Sequence, residues 1–268
     1  SRTPRPEAGA GANMSAALVE SDVEDFALGL LRQLGWQVRH GPEIAPGGAH
    51  AERESYGQVV LPARLRDALA RLNPGLSAEV LEEAFRRFTG PPGAELVHRN
   101  REAHRMLTNG VTVEYRDATG TIRSALVWAI DFENPAANDW LAVNQFTVTE
   151  NQHHRRPDIV LFVNGLPLAV IELKHPTDEQ TTIWTAHAQL QTYLAEIPSL
   201  FTWNEALVIS DGLGARIGTI TASRDRFMPW RTIGGESVEP ADRLELDVLL
   251  QGVFDRGRFL RLVRDFIV

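Results

Sequence analysis

At 268 residues the chain is long enough for one large domain or a core domain with an insertion, and its 43% hydrophobic content is ample for a buried core. The absence of cysteine excludes disulfides and thiolate zinc sites, and with no run of 18 apolar residues and no basic-then-apolar leader, a reducing cytoplasm is expected rather than a membrane or export. A net charge of −8 argues against a stand-alone protein that grips nucleic acid tightly, whose footprint is usually basic.

Residues 1–13, rich in Gly, Ala and Pro before Met14, read as a disordered extension or a cloning scar outside the fold. Val19, Val23, Phe26, Ala27, Leu30, Leu31 and Leu34 recur at helical spacing, and Gly35 supplies a stop, which predicts a helix over 18–34. Ser21-x-x-Glu24 has the form of a capping box, in which Glu24 accepts from the Ser21 N–H. A strand over 36–40 and a loop over 41–54 follow. Pro62 opens a helix to 72, Ser77 one to 88, and a third spans 95–107, with Asn73-Pro74-Gly75 and Gly90-Pro91-Pro92 as breaks. The arginines from Arg64 to Arg105 are interleaved with acids, so this helical insertion over roughly 60–108 reads as a solvated face rather than a DNA patch. Strands over 111–115 and 122–130 flank a turn, 131–140 is loop, and 141–149 alternates as one more strand.

The densest signal is RPDIVLFVNGLPLAVIELK at 156–174. Two apolar runs flank Asn164-Gly165, the strongest short hairpin signal, because both turn residues must tolerate positive φ. Runs this continuous predict strands buried on both faces. Yet Asp158 opens the first, and Glu172 and Lys174 stand two apart in the second, on one face. Charges in such a setting cost several kcal/mol unless paired or bound to a metal. One reading is a divalent-metal hydrolase site: Asp158 and Glu172 as hard oxygen ligands, the Leu173 carbonyl as another, and Lys174 opposite the developing charge of a phosphate. The other is a self-satisfied ion triad in a structural hairpin.

The chain continues with a helix over 182–195, on which Gln189 and Tyr193 lie four apart and share a face. Strands over 206–210 and 216–221 follow, then loop and two apolar-striped helices over 243–250 and 256–268. G-x-x-x-x-G-K-[ST] is absent, so no ATP-binding loop is read here. The apolar end at 266–268 reads as a cut before another domain.

Pro157-Asp158 with Glu172-x-Lys174 resembles the signature of the PD-(D/E)xK nuclease superfamily. The longer blocks DFENPAANDWLAVNQFTV (131–148), RPDIVLFVNGLPLAVIELKHP (156–176) and QLQTYLAEIPSLFTWNEALVISDG (189–212) resemble one branch, the N-terminal nuclease domain of the type I restriction enzyme R subunit. The resemblance implies an α/β fold, a mixed central sheet flanked by helices, and Mg²⁺-dependent cleavage of double-stranded DNA, with Mn²⁺ as a substitute. It implies Asp158, Glu172 and Lys174 as catalytic residues. Glu24 matches in position a first-helix Glu that completes the metal site in many such nucleases, and this stands beside the capping-box reading. Gln189 and Tyr193 resemble a Q-x-x-x-Y motif beside the DNA path, and Arg155 and Arg156, with His153, His154, Lys174 and His175, make the surroundings locally basic. It further implies methyltransferase and specificity subunits as partners, and ATP used only by motor domains expected beyond residue 268. An orphan or type III-like nuclease, or a non-catalytic scaffold, are the alternatives.

Overall fold

A computed structural model describes residues 20–174 and 182–267. The expectations for residues 1–13 and for His175 lie outside the described residues. α1 (Glu20–Gln33) buries Val23, Ala27, Leu30 and Leu31, as their spacing predicts, and the chain leaves it through Gly35 at φ +89°. β1 (Gln37–His40) is followed by α2 (Gly41–Ile44), a single turn where the sequence reads as loop. Pro42 opens it with the φ a first turn needs. α3 (Pro62–Leu72), α4 (Ala78–Thr89) and α5 (Leu96–Asn109) fill the arginine-rich stretch, and the Ser77 hydroxyl caps α4 by accepting from the Val80 N–H at 3.4 Å. The arginines there face acids, as in Arg66–Glu82, Arg87–Glu83 and Arg105–Glu102. β2 (Val111–Arg116) and β3 (Ile122–Val127) form a separate antiparallel pair, the second shorter than its sequence run.

The alternating stretch at 141–149 is two strands rather than one. β4 (Trp140–Asn144) and β5 (Val148–Glu150) are separated at Gln145, whose φ is +56°. β6 (His153–Arg155) returns antiparallel to β5 through Asn151 and Gln152, both at positive φ. Then come β7 (Ile159–Val163) and β8 (Leu166–Leu173), joined by Asn164 and Gly165 at φ +52° and +81° as the hairpin signal requires. α6 (Ile183–Glu196), β9 (Ala206–Ser210), β10 (Ala215–Gly218), α7 (Glu245–Val253) and α8 (Arg256–Phe266) complete the order.

The main sheet runs β1-β4-β7-β8-β9-β10, parallel at β1/β4 and β8/β9 and antiparallel elsewhere. Every residue of β7 and β8 is buried, because helices cover both faces. Ile159, Leu161, Ile171 and Leu173 pack in the core shared with α1, α7 and α8, whereas Val160, Phe162 and Val170 pack in the core shared with α6. Each such side chain contributes about 1.5–3 kcal/mol by leaving water. Alternation then puts Glu172, two residues after Val170, on the α6 face. This is the mixed α/β architecture expected of a restriction-endonuclease-like core. Among the described residues no helix is long and apolar enough to cross a membrane.

Candidate active site

Asp158 immediately precedes β7 and is fixed by both neighbouring strands. Its backbone carbonyl accepts from the Gln145 N–H at 2.9 Å, and its Oδ2 accepts from the Leu173 N–H at 2.7 Å. Glu172 lies inside β8 and is fully buried. Lys174 follows the strand, its N–H donating to the Ser210 carbonyl at 2.8 Å and its Nζ to Glu172 Oε1 at 2.9 Å. The three residues read from sequence therefore converge at one end of the hairpin. Two carboxylates and one ammonium meet there. Glu172 Oε2 is buried without a hydrogen-bond partner among the described residues. Burial first, and then the charge of Asp158, push the Glu172 carboxyl up to about 8 against the downward pull of Lys174.

Tyr193 of α6 looks onto the same face: burial, then the charge of Glu172, raise its phenol above the ordinary value. Gln189 Nε2 donates to the Tyr193 hydroxyl. The resemblance implies that both residues lie beside a DNA path, an exposed position outside the core. For Tyr193 the exposure is corrected, because it is only 3% exposed and packs with Leu190 and Ile197. Gln189 is the half-buried member that reaches a groove between α6 and the β5–β6 hairpin. The basic cluster is likewise less available than it reads. Arg155 pairs with Glu196, and His153 lies 3.5 Å from the same carboxylate, while Arg156 is exposed.

Glu24 sits behind Asp158. Its two oxygens accept from Asn144 Nδ2 and Gln145 Nε2, each at 2.6 Å, and Ser21 lies inside α1 (Glu20–Gln33) rather than ahead of it, which does not suit the N-cap of a capping box. Among the described residues no three His, Asp or Glu side chains are grouped so that they could hold a metal ion. Glu24 reaches Asp158 and Glu172 through Gln145, whose backbone N–H holds Asp158. Asn144 and Gln145 are the site residues missed from sequence. Their signal was present in the block at 131–148, as adjacent amides at the end of a strand.

Residues 17–226 match the family model described as the type I restriction enzyme R protein N terminus. The endonuclease subunit of the type I restriction enzyme HindI, from Haemophilus influenzae, is 36% identical over 256 residues, 94% of this chain and 24% of that protein. The MjaIXP relative from Methanocaldococcus jannaschii is 34% identical over 267 residues, 92% of this chain and 25% of its own. The endonuclease subunit of the Escherichia coli type I restriction enzyme EcoprrI is 30% identical over 172 residues, 61% of this chain and 51% of its own. The chain thus spans about a quarter of the length of the first two of these relatives. It belongs to the family of type I restriction enzyme R protein N-terminal regions.

Proposed function

We propose that this domain hydrolyses phosphodiester bonds of double-stranded DNA with a divalent cation, Mg²⁺ or Mn²⁺, held by Asp158 and Glu172. The observation that carries the reading is Glu172: a fully buried carboxylate, crowded by a second acid, with one oxygen unpartnered among the described residues. A structural ion triad would leave that oxygen unsatisfied, which is expensive in a low-dielectric interior. A hard dication would satisfy it, and two carboxylates with the Leu173 carbonyl suit an ion that keeps several waters. When bound, the ion would stabilise charge on the phosphate oxygens and acidify a water molecule.

The chain's own residues do the rest. The Leu173 N–H fixes the orientation of the Asp158 carboxylate. Strand pairing at its N–H and the bond to Glu172 Oε1 hold the Lys174 ammonium beside both acids, where it orients water and meets the negative charge that develops on the phosphate. Glu24, through Asn144 and Gln145, holds the Asp158 end of the site and is a candidate outer ligand. Base reading would belong to specificity and methyltransferase subunits, and ATP to a motor segment, in a cytoplasmic restriction-modification complex.

In the assembled enzyme, Asp158→Ala, Glu172→Ala and Lys174→Ala should each abolish cleavage while circular dichroism stays native. Full activity in any one of the three, well folded, sinks the assignment. Mn²⁺ relaxation should report binding to wild type and its loss in Asp158→Asn. Glu24→Gln should weaken that binding without unfolding the chain, whereas lost stability with unchanged metal affinity would leave Glu24 a purely structural role.

A further inference from the structure

One wall of the groove beside the site carries Arg155 and Arg156, and one acid pairs with the first. Glu196 is the last residue of α6, where the helix's terminal carbonyls disfavour a negative charge. Arg155 on the facing β6 accounts for its presence: its Nε donates to Glu196 Oε2, and His153 Nδ1 lies 3.5 Å from Oε1. A second fastening holds the hairpin to the same end of α6, with the Ser199 N–H donating to Glu150 Oε2 at 2.9 Å. The arm that carries the basic residues is therefore docked. Arg156, between this arm and Asp158, is exposed and faces no carboxylate among the described residues. Opposite it, Thr185, Gln189 and Thr192 share one face of α6 over about 10 Å. The space between the two walls is about 530 Å³.

The Thr185 hydroxyl and the Gln189 amide on one wall and the Arg156 guanidinium on the other can donate to phosphate oxygens, while the Thr192 hydroxyl already donates to the Ala188 carbonyl at 3.2 Å. We propose that this groove takes the phosphate backbone of the duplex beside the cut, with Arg156 as a phosphate ligand, and that Glu196 sets the grip by withholding Arg155. The proposal rests on the reading of the domain as a DNA nuclease and adds which residues tune its hold. Removing the acid should release Arg155 to the backbone. Each further phosphate neutralised steepens the dependence of log affinity on log salt by about 0.9.

The test is fluorescence anisotropy of a labelled non-specific duplex with the 268-residue chain, titrated across salt in EDTA so that nothing is cut. Glu196→Gln should bind several-fold tighter than wild type, with a slope steeper by about one. Arg156→Ala should bind more weakly, and the double variant Arg155→Ala/Glu196→Gln should return to wild-type affinity. Glu79→Gln, an exposed acid on α4, changes the net charge equally and should leave binding unmoved. If Glu196→Gln melts early, Glu196→Ser takes its place. Wild-type affinity in the Glu196 variant, a gain matched by Glu79→Gln, a gain that survives loss of Arg155, or no duplex binding by any variant overturns the proposal. Cleavage by the Asp158 variant fails separately: loss of cleavage with unmoved binding overturns the groove alone. Retained cleavage with the expected binding changes overturns the assignment of the cut to the Asp158 site and leaves this groove a nucleic-acid surface.

Discussion

Two buried glutamates, Glu172 in β8 and Glu205 just before the neighbouring parallel β9, make an instructive pair. Glu172 lies near the end of β8, and Glu205 lies level with Leu168 near that strand's start, its N–H donating to the Leu168 carbonyl at 2.7 Å. Each is buried and bonded to one basic group, Lys174 Nζ for the first and His104 Nδ1 for the second, both at 2.9 Å. Each also has its second oxygen buried without a hydrogen-bond partner among the described residues. An unsatisfied buried oxygen is thus not by itself the mark of a site. What differs is the company. Burial raises the Glu205 carboxyl and His104 alone pulls it back, so one acid meets one base. Around it the Asn100 amide donates to the carbonyls of Phe201, Thr202 and Asn204, which staples α5 to the turn before β9. At Glu172 the second-largest influence is the charge of another carboxylate, Asp158. That neighbouring acid, more than the burial, sets Glu172 apart from Glu205.

The sharpest way to break the comparison is to neutralise each glutamate in turn. Glu172→Gln should reduce cleavage by the assembled enzyme to background while the metal-free fold keeps its stability, because the change removes a crowded, desolvated acid. Glu205→Gln should cleave normally but lose about 1–3 kcal/mol in denaturant unfolding, the cost of disturbing a buried polar partner. Equal loss of cleavage in two well-folded variants would show that the two ends of the sheet do not differ in the way argued.

A smaller effect, of a few kcal/mol at most, is expected in the dependence of stability on pH. Glu172 titrates near 8 when folded and near 4.5 as an ordinary carboxylate, so the folded state binds its proton more tightly. Its contribution to stability is complete below about pH 4.5 and is lost as pH rises toward 8. In EDTA the melting temperature should fall across that window, and Glu172→Gln should flatten part of the fall. The His104–Glu205 pair, with both pKa values raised, declines in the same direction. The part that belongs to Glu172 is separated by adding Mg²⁺, which should raise the melting temperature more at pH 8 than at pH 5. A Mg²⁺ shift that persists unchanged in Glu172→Gln would detach the ion from this carboxylate.

The end of the molecule that carries the proposed chemistry was the more legible in sequence, and the reason is local. Asn164-Gly165 sets the hairpin by its own turn geometry, and two continuous apolar runs set burial on both faces, which fixes where Asp158, Glu172 and Lys174 must meet. The helices between 62 and 109 announce themselves by spacing and by Pro, Ser and Gly at their ends. The break at Gln145 was not legible, because its positive φ is supported from another element: Glu24, 121 residues away, accepts from its side chain. The β5–β6 hairpin was hidden in the same way, with Asn151-Gln152 in place of a glycine turn. Neither does sequence proximity reveal that Arg155 is answered by Glu196, 41 residues on. The burial of Tyr193, by contrast, was readable, since Ile183, Ala186, Leu190 and Tyr193 form one helical stripe.

That stripe leads to the smallest expected effect, at the contact between α6 and the acid pair. Tyr193→Phe keeps the packed ring and removes only the hydroxyl that receives the Gln189 amide, so it should cost about 0.5–1.5 kcal/mol. Gln189→Ala is the harsher change, because it leaves a phenol in the core without its partner, for about 1–3 kcal/mol. In cleavage the order should be the same. Both residues border the groove, where Tyr193 accepts from the Gln189 amide, so the double variant should cut no more slowly than Gln189→Ala alone. A double variant slower than either single would mean that the Tyr193 hydroxyl meets the substrate directly. Wild-type rates in both singles would reduce the pair to a helix surface. Neither variant should move the pH profile of the Glu205 end, because the tyrosine responds to the charge of Glu172 and has no contact with His104 among the described interactions.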